Sequence, residues 1–131
     1  MRKETITYID YDGNERTEDF YFNLSKPELM EMDFSASGGL EKKIKKIVDT
    51  QDTKQIIDLF KDIVLRSYGE KSDDGKRFIK FRDGHRLADD FAQTEAYNEL
   101  FMRLATDEKA ATDFINGIIP ASIAQEMAAR G

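Results

Sequence analysis

The stretch FAQTEAYNELFMRLATDEKAATDFINGIIP, residues 91–120, holds two amphipathic helical patterns, one directly after the other. Apolar residues of the first pattern recur every three or four positions and share one helix face: Ala96, Tyr97, Leu100, Phe101 and Leu104. Thr106 is the expected N-cap of the second helix, because Asp107 and Glu108 would then stand in its first turn. The second apolar face comprises Ala110, Ala111, Phe114, Ile115, Ile118 and Ile119. Gly117 weakens this second helix, and Pro120 ends it.

Composition limits the classes of protein that this chain can represent. Its 131 residues are 40% hydrophobic and 35% charged, which predicts one domain with its own core. With no cysteine and one histidine, the chain has neither a disulfide framework nor a Cys/His metal site. A net charge of −6 argues against nucleic acid as the main partner. Neither a membrane span nor a signal peptide is evident, so we expect a cytoplasmic protein.

Residues 5–24 predict a β-hairpin that turns at Asp12-Gly13-Asn14. Two registers are possible. If the loop has three residues and Asn14 is left-handed, Tyr11 pairs with Glu15 and four large side chains share a face: Ile6, Tyr8, Phe20 and Phe22. A two-residue turn at Asp12-Gly13 would instead bring Thr5 and Thr7 onto the Phe20 and Phe22 face. The first register is favoured because it buries more apolar surface on one side.

Residues 25–120 predict a helical body. A capping box from Ser25 to Glu28 opens a helix that ends near Asp33. Gly38-Gly39 breaks the chain before a helix that starts at about Leu40. A second capping pair, Asp52 with Gln55, opens the strongest helix, which runs from Thr53 to Tyr68 and stops at Gly69. Its expected inward residues are Ile56, Ile57, Phe60, Ile63 and Val64.

Residues 70–84 interrupt the helices with two turn signals and form either a small hairpin or a mobile loop. The expected fold is therefore mainly α with an N-terminal β-hairpin, an α+β domain of about five to six helices. We expect residues 1–131 to form a single domain and residues 121–131 to be a frayed tail. A basic and aromatic patch runs through the segment 76–86: Lys76, Arg77, Phe78, Lys80, Phe81, Arg82 and Arg86. Its alternatives are a solvated loop or a partner site.

Candidate catalytic and metal-binding motifs fail on spacing. Asp10 to Asn14 resembles the start of a calcium loop, but Gly13 stands fourth rather than sixth and Tyr21 takes the twelfth position, which needs a glutamate. His85 stands alone beside Gly84 in a basic turn, without a nucleophile nearby in the sequence. We therefore predict no catalytic residue, no metal and no cofactor, and keep a hydrolase or transferase that uses His85 as an alternative.

Three segments together resemble one family. TYIDYDGNERTEDFYFNLSKPELMEM, IIDLFKDIVLRSYGEKSDDGKRFIK and the opening stretch at residues 91–120 are similar to tail assembly chaperones of long-tailed, siphovirus-type phages of Gram-positive bacteria. The likeness covers most of residues 5–120 and is an overall sequence similarity rather than a shared catalytic signature. RFIKFRDGHRLADDF departs from the pattern in its lengthened basic turn.

The resemblance implies a non-enzymatic protein that acts in the host cell cytoplasm and is absent from the mature virion. Such chaperones bind the tape measure protein and keep it soluble while tail tube protein assembles around it. In many of these phages, a frameshift-extended form recruits the tail tube protein. We also expect a homo-oligomer. The alternative is a small phage or host regulatory adaptor that binds one folded partner.

The density of apolar side chains in residues 91–120 suggests where such a protein would touch its client or a neighbouring copy. Five residues are the candidates for this contact: Phe101, Met102, Phe114, Ile115 and Ile118. Periodicity assigns part of this set to the core as well.

Overall fold

The computed structural model describes residues 1–31 and 51–119, together with Lys46 and Asp49. The predicted break at Gly38-Gly39, the helix from Leu40 and the tail 121–131 lie outside the described residues. Within them the chain forms an N-terminal antiparallel hairpin and five helices, which confirms the predicted α+β class. The helices are α1 (Lys26–Glu31), α2 (Thr53–Ser67), α3 (Leu87–Phe91), α4 (Glu95–Thr106) and α5 (Glu108–Ile118).

The hairpin consists of β1 (Arg2–Ile9) and β2 (Glu15–Phe22). Tyr8 lies opposite Arg16, and Ile6 lies opposite Glu18. The predicted common face of Ile6, Tyr8, Phe20 and Phe22 is confirmed, since all four side chains belong to the core or pack against it. The predicted pairing of Tyr11 with Glu15 is wrong, because Glu15 pairs with Ile9.

The register differs because the turn begins at Asp10. The Gly13 N–H donates to the Asp10 carbonyl at 3.0 Å, and Gly13, rather than Asn14, takes the left-handed conformation with φ of +84°. Asp10 Oδ1 also accepts the backbone N–H groups of Asp12 and Asn14, each at 2.9 Å. An aspartate that bonds the backbone ahead of it favours a turn at that point. The pairing moves by two residues, which leaves every side chain on its predicted face.

Four short strands follow α2, more than the sequence predicts. β3 (Tyr68–Lys71) joins the hairpin, with Tyr21 opposite Gly69, and β4 (Phe78–Ile79) pairs with β3, giving the order β1-β2-β3-β4. β5 (Phe81–Arg82) and β6 (His85–Arg86) form a separate hairpin. Of the two alternatives for residues 70–84, the hairpin is therefore the correct one.

Gly69 belongs to β3, so its predicted role as the stop of the preceding helix is wrong. A Cβ on Gly69 would lie 2.6 Å from a Phe78 ring carbon and 2.7 Å from the Ile79 carbonyl oxygen. Glycine is needed here because β4 crosses so close to the β3 backbone.

The helix caps agree largely with the sequence. The Ser25 N–H donates to Glu28 Oε1 at 2.9 Å, and the Glu28 N–H donates to Ser25 Oγ at 3.3 Å, which confirms the capping box. Asp52 accepts the Gln55 N–H at 3.2 Å, as predicted. The N-cap assigned to Thr106 is wrong: Thr106 is the last residue of α4, and its hydroxyl donates to the Met102 carbonyl. Asp107 caps α5 instead.

The core forms one cluster between the helices and one face of the sheet. Phe22 lies at its centre, with ring centroids of Tyr68, Phe91 and Phe114 at 5.6, 5.8 and 5.2 Å. The predicted faces of α4 and α5 are confirmed, since Leu100, Phe114 and Ile118 are fully buried. In α2, however, Ile57 is 42% exposed, because Leu59 completes the buried stripe and leaves Ile57 at its margin.

Glu4 is a buried carboxylate that ties β1 to α4, while its neighbour Arg2 reaches α5. Arg2 Nε lies 2.6 Å from Oε1 of Glu4, and Arg103 Nη1 of α4 lies 3.2 Å from Oε2. Arg2 also donates to the Asp113 carbonyl of α5. A buried charge is tolerated when it is paired in this way. Within the described ranges, none of the helices has the length and apolar character that crossing a bilayer requires.

Candidate protein-binding surfaces

The five residues predicted to contact a client fall into two groups. Phe114, Ile115 and Ile118 of α5 are buried in the core, whereas Phe101 of α4 is half-buried and Met102 is 57% exposed. In this conformation, a partner can reach only the two α4 residues of the set. The contact role of the five stays a prediction.

Accessible apolar side chains lie along the outer side of α4. We call Tyr97, Phe101, Met102 and Ala105 the α4 surface, since spacings of three and four residues make them neighbours on the helix. The Tyr97 and Phe101 rings are 5.9 Å apart, and burial raises the pKa of Tyr97. Thr94 positions this helix by accepting the Tyr97 N–H at 3.1 Å. Sequence reasoning missed this cap, although a threonine directly before Glu95 was its signal.

The tip of the hairpin reaches the start of α4. The pKa of the Tyr11 phenol is raised, first by its hydrogen bond to Glu95 and then by loss of contact with water. Tyr11 itself is 74% exposed, so the contact leaves most of its ring in solvent. One end of the α4 surface therefore lies beside an exposed aromatic ring and an acidic residue, which is the mixed chemistry common in protein interfaces.

The basic segment 76–86 is anchored by Lys80, whose ammonium points into the molecule. Its Nζ donates to the Asn23 carbonyl at 2.8 Å, to the Arg66 carbonyl at 2.7 Å, and to the Glu28 carboxylate. These three partners come from the end of the hairpin, the end of α2 and the start of α1. Lys80 therefore holds the segment between β4 and β5 against three elements that are distant in sequence.

Burial and charge act in opposition at this contact. Burial lowers the pKa of Lys80, and the hydrogen bond to Glu28 only partly offsets this. For Glu28, burial alone would raise the pKa, but hydrogen bonds from Lys80 and Ser25 outweigh it and hold the pKa below its usual value of 4.5. Glu28 therefore remains ionised at neutral pH and supports both the α1 cap and the Lys80 contact.

Two of the other four cations in the predicted patch are paired with carboxylates. Arg82 lies 2.7 Å from Glu70, and Arg86 lies 2.9 Å from Asp89. Phe81 is 70% exposed between them. Because two of its guanidinium groups are paired and the Lys80 ammonium points inward, the segment does not present a continuous positive face of the kind that binds a phosphate backbone.

His85 lies in the open on β6. Its Nε2 is 3.1 Å from Asp90 Oδ2, and both side chains are at least half exposed. This pair resembles the base and orienting acid of a hydrolytic site, but the His85 ring has no hydroxyl or thiol partner within the described residues. The contact therefore favours a surface hydrogen bond over a catalytic pair.

A cleft of about 560 Å³ opens where β3 diverges from β2. Its walls come from β2, β3, the turn that follows and one residue each of β4 and β5: Glu18, Asp19, Phe20, Tyr21, Tyr68, Gly69, Glu70, Lys71, Ser72, Asp73, Arg77, Ile79 and Arg82. Burial raises the pKa of Tyr68 to about 12, so its hydroxyl stays neutral at physiological pH. Sequence reasoning did not find this cleft, because it depends on strand β3.

In the part of the chain that the structure describes, no group of acidic or histidine side chains is arranged to hold a metal ion. The accessible features are instead an apolar helix surface, an exposed hairpin tip and a cleft between β2 and β3. Through surfaces of these kinds a small α+β domain can contact another protein.

The family follows from comparison with known proteins. A family model of phage tail assembly chaperones matches residues 1–130. The chain therefore belongs to the phage tail assembly chaperone family. No curated protein and no solved structure matches it.

Proposed function

We propose that this tail assembly chaperone binds the tape measure protein of its phage and keeps it soluble while tail tube protein assembles around it. The match to the family over nearly the whole chain supports a role in tail assembly. The observation that supports binding of an apolar client is Met102, which is exposed beside half-buried Phe101 on a helix whose other face is fully occupied by the core. An amphipathic client helix would lay its apolar side along such a surface.

In this proposal the five predicted contact residues have two different roles. Phe101 and Met102 contact the client directly. Phe114, Ile115 and Ile118 lie in α5, which packs against α4, and fix the position of that helix from inside the core. They would meet a client themselves only if α5 left the core.

Several copies would act on one client. A long client offers many similar segments, and binding by linked copies strengthens the complex without new kinds of contact. We therefore propose a homo-oligomer that works in the host cytoplasm and leaves before the virion matures. Recruitment of the tail tube protein would fall to a frameshift-extended form of the chain.

Co-expression with the tape measure protein from the same phage tests the proposal. We expect the client to become soluble and to co-purify with several copies of the chaperone, as measured by light scattering after size-exclusion chromatography. Failure to co-purify would exclude the function. A complex with one copy of each chain would favour the adaptor alternative.

Met102→Lys tests the surface. It should weaken the complex at least about tenfold, because a charge replaces an apolar contact at the centre of the proposed interface. Met30→Lys is the matched control, since Met30 is similarly exposed, at 66%, but lies on α1. Equal loss in both variants would show that binding does not depend on α4.

A further inference from the structure

Among the residues that the structure describes, nothing pairs with one edge of β2 along most of its length. β2 pairs with β1 over all eight residues, but it pairs with β3 only at Tyr21 and Phe22. Among the described residues, no strand lies beside residues 15–20 on the β3 side. An edge of six residues is about 20 Å long, which is enough for one added strand.

The backbone groups on this edge can be assigned from the ladder. The Asn23 N–H donates to the Ser67 carbonyl, so Asn23 points away from β1. Because alternate residues of an antiparallel strand point to the same edge, the N–H and C=O groups of Glu15, Thr17 and Asp19 also point outward. These three residues are ready to bond a further strand.

Space for that strand exists beside the edge. After its pairing with Tyr21 and Phe22, β3 diverges from β2 while it pairs with β4 on its other side. Because Gly69 has no side chain, the Phe78 ring of β4 packs closely against β3 at this point. The cleft of about 560 Å³ between the two strands results from this divergence. Residues 18–21 of β2 form one wall, and Phe20, Tyr68 and Ile79 add apolar surface to the cleft. Lys71, Arg77 and Arg82 also line it, beside the four carboxylates of Glu18, Asp19, Glu70 and Asp73.

The charge of the edge determines which strand fits. Glu15, Glu18 and Asp19 carry three carboxylates, and within the described residues none has a cation within salt-bridge distance, since the nearby Arg16 pairs with Asp10. In antiparallel pairing centred on Thr17, a second copy would place Glu15 opposite Asp19 at two positions, and the Arg16 that it would place opposite Glu18 is already paired with Asp10. Like charges directly opposite each other are destabilising. Charged edges of this kind hinder pairing between identical strands.

We propose that the open edge of β2 binds an extended, basic segment of a partner protein, which adds to the sheet as a further strand. Lysine or arginine side chains at alternate positions face Glu15 and Asp19, and the apolar side chains between them face Phe20 and the cleft. This site is separate from the α4 surface, because α4 packs on β1, on the other side of β2. It therefore stands independently of the proposed tape measure contact.

The probe for this site is a synthetic peptide of about nine residues in which lysine and valine alternate, titrated into the isotope-labelled full chain and followed by NMR. We expect the largest amide shifts at Glu15, Thr17 and Asp19. A peptide with glutamate in place of lysine should bind at least about tenfold more weakly. Unchanged β2 amides, or equal binding of both peptides, would overturn the proposal.

Thr17→Pro tests the backbone contact. Proline removes the outward N–H of Thr17 but no hydrogen bond to β1, so the hairpin should remain intact. Thr17→Val is the matched control, since it loses the same hydroxyl contact to Thr7 and keeps the N–H. Binding of the lysine peptide should be at least about fivefold weaker in the proline variant than in the valine variant. Equal binding in two folded variants contradicts strand addition.

A charge reversal keeps the proposal testable if the proline variant fails to fold. Glu15→Lys combined with Asp19→Lys should reverse the preference, so that the glutamate peptide binds more tightly than the lysine peptide. If the double variant still prefers the lysine peptide, the assigned register is excluded.

Sedimentation of the chain without peptide tests self-association through the same edge. If Thr17→Pro lowers the measured mass, the edge is an interface between copies and the proposal is wrong.

Discussion

Two regions of this molecule are held in place by different forces. The helix pair α4 and α5 packs through apolar faces onto β1 and into the core around Phe22. The segment from β4 to β6, residues 78–86, carries half-buried or exposed side chains and is held mainly by polar contacts: the pairing of β4 with β3, the Arg82–Glu70 ion pair and the three hydrogen bonds of the Lys80 ammonium. Many small apolar contacts hold the first region. Since these contacts are part of the shared core, a cavity among them lowers the stability of the whole domain. In the second region, the loss of one polar anchor should release a local part only.

Phe114→Ala should have the largest effect on stability. Phe114 is fully buried, 5.2 Å from the Phe22 ring, so its truncation leaves a cavity in the core. We expect the free energy of unfolding to fall by about 4 kcal/mol in urea titrations. Phe81→Ala is the control: at an exposed site the same truncation should change stability by less than about 0.5 kcal/mol. Similar losses in both would remove the distinction between the two regions.

Lys80→Met should cost about 2 kcal/mol, because the Asn23 and Arg66 carbonyls and the Glu28 carboxylate lose their donor. Amide hydrogen exchange should accelerate in β4 and β5 while α4 and α5 remain protected. Lys76→Met, at an exposed lysine in the turn just before β4, should leave exchange unchanged. If α4 and α5 lost protection to the same extent, the segment would be an integral part of the core.

Gly69→Ala should destabilise the chain by about 1–2 kcal/mol, since the added methyl group meets the Phe78 ring and the Ile79 carbonyl. The comparison is Gly117→Ala, where the nearest atom is Cδ of the Arg2 side chain, at 2.7 Å. That side chain can move, and alanine favours the helix, so thermal unfolding should show the smaller loss for Gly117. A larger loss for Gly117→Ala than for Gly69→Ala would mean that β4 shifts more easily than the Arg2 side chain.

The smallest expected effect is a change in pH dependence. The pKa of Glu28 lies below its usual value of 4.5 in the folded protein, so its contribution is present above pH 4.5 and is lost as the pH falls through the folded pKa. Glu28→Gln retains an acceptor for the Ser25 N–H but no longer titrates. We measure the free energy of unfolding by urea titration between pH 3 and 7. Its decline toward low pH should be smaller for the variant than for the original chain, by less than about 1 kcal/mol. Parallel declines would exclude Glu28 as a source of acid sensitivity.

The same division explains which parts of the fold could be predicted. The faces of α4 and α5 follow from local periodicity, because apolar residues three and four positions apart share a helix side. β3 could not be predicted in this way, since Tyr68 continues the helical pattern of α2 and its strand partners are in the hairpin. The contacts of Lys80 likewise join residues that are far apart in sequence.

Predicting the candidate sites from sequence was harder still. Periodicity shows that Phe101 and Phe114 lie on apolar faces, but it does not show that α5 turns its face to the core while Phe101 remains partly accessible. The open edge had a signal that could have been used: the run from Glu15 to Asp19 is rich in charge, as edge strands often are. Its free side could be assigned only once β3 was known to diverge.

The junction between α4 and α5 has a practical consequence for labelling. Asp107 donates its N–H to the Arg103 carbonyl at 3.0 Å and accepts the Ala110 N–H at 3.1 Å, so one residue closes α4 and opens α5. A chromophore or epitope tag inserted there would separate both caps at once and tilt one helix against the other. The turn at Asp74 and Gly75 is the better insertion point, because both residues are exposed and belong to no helix.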